Sequence, residues 1–387
     1  EPRGLPRPYR NCVVLGHVCD MEGFKESKSK GNYTSPNLVL RGRMKARVIQ
    51  DDTLQPGTLG MVKAAVRSID LTNDERMGVS KDELGGDRVQ VKLIAGPNRG
   101  KETVAMHPDD IAALSLDGEC WLHAPFQPPG ADAFRWLFYA ANPPWTSTRL
   151  SLRGIREGQR EFHLRLSNVV SFFTIYANIN GFTPTSGREP SLDIMDRWIR
   201  SEVARTAAEV TVWLDEYRIF EAARALSAFV DGLSNWYVRR TRDRFWGDGD
   251  DATDALNTLH SVFGVLTRLI APFVPFMAEA MHQRLNMIGD SVHLAPWPMT
   301  EELEGWADEA LSSDMSLLRE VASLGLAARA RVGVKVRQPL RATEIILADP
   351  TRADRLGPLL PLLASELNVR EVRFTDDADR LVLFKVK

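Results

Sequence analysis

The densest concentration of reactive side chains is Lys25-Glu26-Ser27-Lys28-Ser29-Lys30-Gly31-Asn32. Lysines this close repel one another, and a folded chain tolerates that when an anion gathers them. The serine hydroxyls between them donate to phosphate oxygens, and Gly31 permits a tight turn. The chemistry this suits is adenylyl transfer, in which a carboxylate attacks an α-phosphate and pyrophosphate leaves. A lysine at the leaving group stabilises its growing charge more in the transition state than in the ground state. On spacing alone, a solvated Lys/Ser surface loop is the competing reading.

A second chemical stretch runs from Trp236 to Trp246, where Arg239, Arg240, Arg242 and Arg244 fall within two helical turns. Arginine grips phosphate through parallel donors and stacks on bases, as exposed aromatics do. Helical spacing turns Leu233, Trp236 and Tyr237 inward and predicts that the four arginines spread over the exposed side. The alternative is a solvated face whose arginines pair with Asp243, Asp248, Asp250 and Asp251. Trp198, Trp213 and Phe229 sit at core spacing, and His260, His282 and His293 are isolated histidines that read as structural.

Several elements must position these residues. Residues 11–19 form a short apolar run of the kind found in buried parallel strands, delivering the lysine-rich loop at its C-terminal end. Alone it would be an exposed apolar edge, so its strand partners are expected outside this sequence. Residues 37–127 carry short strand-like runs punctuated by QPGTLG, ELGG and GPNRGK, which predict a small β-rich insert, barrel-like in character. From about residue 130 the apolar period becomes helical, with helices predicted over 154–180, 191–214, 216–244 and 252–286. Pro190-Ser191 signals the start of the second, and Pro272 and Pro275 should break the fourth near Ile270. A further helix over 300–330 precedes a small α/β tail at 340–387.

Composition excludes several classes. The 387 residues are 44% hydrophobic and 26% charged, with no apolar stretch of membrane-spanning length and no secretory leader. The chain opens at Glu1, which suggests a cut N-terminus. A net charge of -2 gives no global nucleic-acid signature, so any such role rests on local clusters. The cysteines, Cys12, Cys19 and Cys120, offer no disulfide framework and suggest a reducing cytoplasm. Cys12 and Cys19 with His17 lack a second cysteine pair, so no metal site, zinc included, is expected.

In its surroundings, KESKS-Gly31-Asn32 resembles the KMSKS loop of class I aminoacyl-tRNA synthetases, and VVLGHVCDMEGF resembles the strand and turn leading into it. Gly130-Ala131-Asp132-Ala133-Phe134-Arg135-Trp136 is similar to the GADALRW segment of isoleucyl and valyl enzymes. Leu233-Ser234-Asn235-Trp236-Tyr237-Val238-Arg239-Arg240, ending in Arg244-Phe245-Trp246, resembles NWYVRRSRRRFW of the isoleucyl type. Ser291 to Pro298 resembles SVHLxxWP, and VRQPL (336–340) and ELNV (366–369) resemble late segments of the eukaryotic-like branch. These matches stand in family order and cover the chain except the insert, whose GPNRGKE turn looks like that of KOW-type RNA-associated modules or is a plain hairpin spacer.

The resemblance implies a mainly α fold: a catalytic-domain remnant of Rossmann type at 1–36, the β-rich insert at 37–127, a connector at 128–153, a helical-bundle anticodon-binding domain at 154–300, and a helix with an α/β C-terminal domain at 301–387. It implies ATP, with Mg2+, held by Lys25, Ser27, Lys28 and Ser29, with Lys28 stabilising the leaving pyrophosphate. It implies tRNA(Ile) on Arg239, Arg240, Arg242, Arg244 and Trp246, isoleucine as co-substrate, and a cytoplasmic monomer without membrane contact. Three features depart from the family pattern. Glu26 replaces Met inside the loop, the insert separates the loop from GADAFRW, and the upstream HIGH motif is absent, so this chain alone is expected not to form aminoacyl-adenylate. A valyl enzyme and a non-catalytic tRNA- or ribosome-binding protein stay open.

Overall fold

A computed structural model describes residues 11–27, 32, 35–96, 102–184, 189–247 and 249–377. The chain forms two compact units, one from Glu1–Ile175, Thr206–Ser234 and Phe263–Pro298, the other from Tyr176–Arg205, Asn235–Val262 and Met299–Lys387.

In the first unit, β1 (Val18–Cys19) is much shorter than the expected 11–19 strand and pairs in parallel with β8 (Thr148–Arg149). Pairing fails upstream because only Gly16 and His17 extend the contact, through Gly16 N to Pro144 O and Thr148 N to His17 O. The apolar residues ahead of them, Val13 to Leu15, are exposed.

The helix α1 (Pro36–Arg41) ends at Gly42 in the left-handed region and leads into a closed six-stranded barrel. Its strands are β2 (Arg43–Gln50), β3 (Thr58–Val62), β4 (Arg76–Ser80), β5 (Val89–Gly96), β6 (Thr103–Met106) and β7 (Glu119–His123). They close in the order β2-β6-β3-β5-β4-β7, with β2·β6 and β3·β5 parallel and the other pairs antiparallel. Alternation along β2 sends Met44, Ala46 and Val48 inward, where they join fully buried Leu59, Met77, Val79, Leu93 and Leu122. Closure leaves no sheet edge, which suits a small β module with a single apolar core. The GPNRGKE turn lies largely outside the described residues. Two short helices, α2 (Lys63–Ser68) and α3 (Pro108–Ala113), cover the barrel's connections.

Residues 128–153, expected as a connector, contain a helix, α4 (Ala131–Ala140), besides β8. Then follows a continuous helical rod: α5 (Leu152–Gly158), a π-turn at Gln159–Leu164, and α6 (Arg165–Ile179). Next come α7 (Ile194–Asp215) and α8 (Ile219–Gly232). A second π-turn at Leu233–Val238 and a short α9 (Arg239–Thr241) separate these from α10 (Asp250–Ile270) and α11 (Pro275–Arg284). The α10–α11 break falls at Pro272 and Pro275, as the sequence predicts.

Two boundaries differ from expectation. The helix start expected at Ser191 falls three residues later, because Asp193 Oδ1 caps it by accepting from Met195 N at 2.8 Å. The single helix expected over 216–244 starts at Ile219 and runs on through the π-turn into α9, and the π-turn widens the coil and lets Trp236, Tyr237 and Val238 all be buried.

In the second unit, α12 (Glu309–Arg331) is followed by β9 (Leu340–Ile345), α13 (Ala353–Leu356), α14 (Leu360–Leu367) and β10 (Val369–Phe374). The strands β9 and β10 pair in parallel, joined by a helical crossover. Among the described residues no helix is long and apolar enough to cross a membrane.

Candidate functional site

The lysine–serine loop leaves β1 through a tight turn held by Asp20, which is almost wholly buried. Asp20 Oδ1 accepts from Phe24 N, and Asp20 Oδ2 accepts from Asn32 Nδ2, both at 2.9 Å. The same Asn32 amide donates to Lys25 O at 3.1 Å, and its carbonyl accepts from Ser27 N at 3.0 Å. Glu26 N donates to Val18 O at 2.9 Å, so the loop's first residues are anchored through their backbones. Lys25 is exposed and Ser27 half-buried, on a main chain fixed by these bonds. Glu22, in the turn, pairs with Arg67 of α2. Lys28 and Ser29 lie outside the described residues. Asp20 and Asn32 were missed as functional candidates, although an Asp and an Asn flanking a glycine-containing loop are the residue types that tie turns through side chains.

The GADAFRW segment bonds to the α10–α11 junction. Asp132 Oδ2 accepts from Met277 N at 2.7 Å, in the first turn of α11. Arg135 donates to Phe273 O at 3.1 Å and Pro272 O at 2.9 Å, satisfying carbonyls left open where α10 ends. Trp136 stacks on Phe162 with ring centroids 3.8 Å apart. Burial raises the Asp132 carboxyl, and the α11 backbone donors and Arg135 oppose that rise. In SVHLAPWP, Ser291 Oγ donates to Glu279 at 2.9 Å, and Trp297 Nε1 donates to Thr211 Oγ1 at 2.8 Å. These segments are fasteners of the first unit.

The arginine stretch lies in the second unit, and its expected uniform exposure is overturned. Arg244 is 15% exposed and paired with Asp193, Asp196 and Asp251. Asp196, with no exposed area, also accepts from Tyr237 Oη at 2.6 Å. Burial alone would lower the Arg244 guanidinium, but its bonds to Asp196 and Asp251 carry it above the ordinary value. Burial, then the Asp196 charge, raises Tyr237, so its hydroxyl stays a donor. Arg240 is 12% exposed, paired with Glu366 and donating to Ser365 Oγ at 2.8 Å. The physical reason is the π-turn, which rotates Arg240 inward while buried carboxylates gather both cations. Arg239, 53% exposed, donates to both Glu366 oxygens at 2.7 and 2.6 Å. Arg242 and Trp246 are exposed, and the Trp246 indole donates to Tyr176 Oη at 2.9 Å. Of the expected partners, Asp251 is met and Asp248 lies outside the described residues. Trp198 and Phe229 are buried and Trp213 half-buried. His282 is buried on Gly289 O, while His293 is exposed.

All three cysteines are free, and among the described residues no cluster of His, Cys, Asp or Glu could hold a metal ion.

Residues 196–345 match the family described as the anticodon-binding domain of tRNA ligase. Together with the helical architecture, this defines the class, the aminoacyl-tRNA ligases that carry such a domain. An isoleucine–tRNA ligase of Clostridium novyi is 33% identical over 387 residues, covering 98% of this chain and 28% of its own length. One from Clostridium acetobutylicum is 39% identical with the same coverage, and one from Deinococcus radiodurans is 38% identical over 267 residues, 68% of this chain and 24% of its own length. The chain belongs to the isoleucine–tRNA ligases of the class I synthetase family, as its motifs suggested. It spans 24–28% of the length of these relatives.

Proposed function

We infer that this chain is the part of an isoleucine–tRNA ligase that supplies the ATP-phosphate loop and the surface for the anticodon region of tRNA(Ile). The carrying observation is the 33–39% identity across 98% of the chain, which takes in the loop as well as the helices. In this reading β1, β8 and the turn at Asp20 are the edge of a Rossmann-type nucleotide fold. Isoleucine's carboxylate attacks the α-phosphorus of ATP, a new C–O–P linkage forms, and the bond to pyrophosphate breaks. Lys25, Ser27, Lys28 and Ser29 line the phosphates of Mg2+-bound ATP, with Lys28 on the departing pyrophosphate. The fixed backbone at Lys25 and Ser27 suits that role, since preorganised donors cost no reorganisation during reaction. Glu26, a carboxylate inside the loop, tempers its positive charge.

For tRNA, the exposed Arg239, Arg242 and Trp246 make the contacts, while Arg240 and Arg244 act from beneath by holding the surface in shape. The barrel is a spacer module set between loop and bundle, and the whole ligase works as a cytoplasmic monomer. The test is Lys28→Ala in the full-length ligase, which should slow ATP–pyrophosphate exchange about a hundredfold. An unchanged rate overturns the assignment of the loop.

A further inference from the structure

The turn that feeds the lysine–serine loop is a hairpin. Asp20 N donates to Phe24 O at 2.8 Å, Gly23 N donates to Asp20 O at 3.0 Å, and Cys19 bridges Lys25 in antiparallel sense. Gly23, at φ +89°, supplies the left-handed residue that closes it. Glu22 therefore stands at the tip, and the returning arm carries Lys25, Glu26 and Ser27 into the loop. The base of the hairpin is held by β1, which pairs with β8. A lever fixed only at its base still swings.

Its tip is held from the barrel. Arg67, 45 positions on and in the last turn of α2, donates through Nη1 to Glu22 Oε1. The two side chains are 49% and 35% exposed, so the pair works at the surface, where such a bond is modest in strength. What makes it a fixed point is the helix behind it. Ala65, Val66 and Ile69 are at most 5% exposed and belong to the barrel's core, and Leu71 N closes the helix end on Val66 O at 3.1 Å. The same corner faces the body a second time. The Arg153 guanidinium of α5 is raised by Glu157, bonded at 3.0 Å, and then by the charge of Asp70. One corner of the barrel thus meets both the hairpin and the helix that follows β8.

We propose that Arg67 is a positioning residue for amino-acid activation: through Glu22 it sets the angle at which the hairpin presents Lys25 and Ser27 to the ATP phosphates. Arg67 touches no reacting atom. It bears on the rate because a donor slightly misplaced from the transition state loses much of its effect. The barrel then does more than separate loop from helices, since it carries a rigid cation to the tip of the hairpin. The proposal rests on the ATP-loop reading above and adds to it a residue outside the loop. A second role for the same pair, screening the Glu22 charge from ATP, makes the opposite forecast for one variant. Under screening, Glu22→Gln speeds the reaction; under positioning, it slows it.

The test is ATP–pyrophosphate exchange by the full-length ligase, with ATP and isoleucine varied in turn. Arg67→Ala and Glu22→Gln should each lower kcat/KM for ATP about two- to fivefold, the range of one exposed ion pair. Arg67→Glu, which sets two carboxylates against each other, should lower it about tenfold. The KM for isoleucine and the urea midpoint should stay at the parent values in all three. Arg67→Lys, which keeps the charge, and the exchanged pair Glu22→Arg with Arg67→Glu should both recover most of the loss. Parent kinetics in Arg67→Glu, or faster exchange in Glu22→Gln, overturns the proposal. Should Arg67→Glu fold poorly, Glu22→Gln decides alone, since Glu22 lies outside the barrel. Lys28→Ala separates the two readings. If it slows exchange while Arg67→Glu does not, the loop assignment stands and the positioning role falls; if it leaves exchange intact, both fall.

Discussion

The Asp20 carboxylate and the Asn32 amide meet at 2.9 Å across the two ends of the lysine–serine loop, one residue just after β1 and the other just beyond Gly31. A buried, charged acceptor is the stronger kind of hydrogen-bond partner, contributing about 1.5–3 kcal/mol. Beyond this bond, Asp20 accepts from Phe24 N, and Asn32 donates to Lys25 O and accepts from Ser27 N. Their work is positional.

Asp20→Ala or Asn32→Ala in the full-length ligase is therefore expected to lower kcat/KM for ATP–pyrophosphate exchange about tenfold or more. Isoleucine affinity should change little. Steady-state exchange kinetics with varied ATP check this, and wild-type kinetics in both variants would remove the clasp from the mechanism.

Arg242 and Arg244 stand two residues apart and should behave as opposites. Arg242→Ala should leave thermal stability in place and reduce the salt dependence of tRNA binding by about one phosphate contact. Arg244→Ala strips the partner from Asp196, a fully buried carboxylate, and should cost about 3–5 kcal/mol in stability. Urea unfolding alongside filter binding at several salt concentrations separates the two.

Arg135 holds the turn between α10 and α11 through its bonds to the adjacent Pro272 O and Phe273 O. Arg135→Ala should destabilise the first unit by about 2 kcal/mol, the cost of two charge-assisted bonds lost, one to buried Phe273 and one to exposed Pro272. A urea midpoint within error of the parent chain would show that solvent replaces them.

His163, inside the first π-turn, is buried with neither ring nitrogen hydrogen-bonded, and burial pulls it down from 6.5 to about 4. The folded chain thus keeps it neutral while the unfolded chain protonates it, so stability is full above pH 6.5 and falls as pH drops toward 4. Between pH 7 and pH 5 the loss from this one group is about 2 kcal/mol. His163→Phe should flatten that part of the stability–pH curve, as read from urea midpoints at the two pH values.

Local signals were legible where local chemistry sets the outcome. Pro272 and Pro275 ended α10 where proline must, and helical spacing buried Leu233, Trp236 and Tyr237. The family of the chain was also legible, from motifs standing in order. Signals that depend on distant partners were not. Nothing near Arg240 announces Glu366, 126 positions away, and the inward turn of Arg240 follows from a π-turn that period counting treats as ordinary helix. The GADAFRW segment was legible only as a family resemblance, and nothing near it in sequence announces that Asp132 and Arg135 fasten a helix break about 140 residues on. In the barrel, alternation revealed strands, while the parallel β2·β6 and β3·β5 pairings require connections that no local pattern encodes.

The pairing of the barrel's first strand with its last has a bearing on how such a module came to sit here. Arg43 faces His123 directly, and Gly42 O receives a bond from Ala124 N at 2.8 Å. The polypeptide thus departs from and returns to a single point, as a side room opens off a corridor through one doorway. Eighty-one residues can be spliced in at that doorway, or cut out and bridged by a few, without lengthening the path between the segments on either side. A gene can acquire or shed such a module in one step, and the ancestral spacing of its host survives either event.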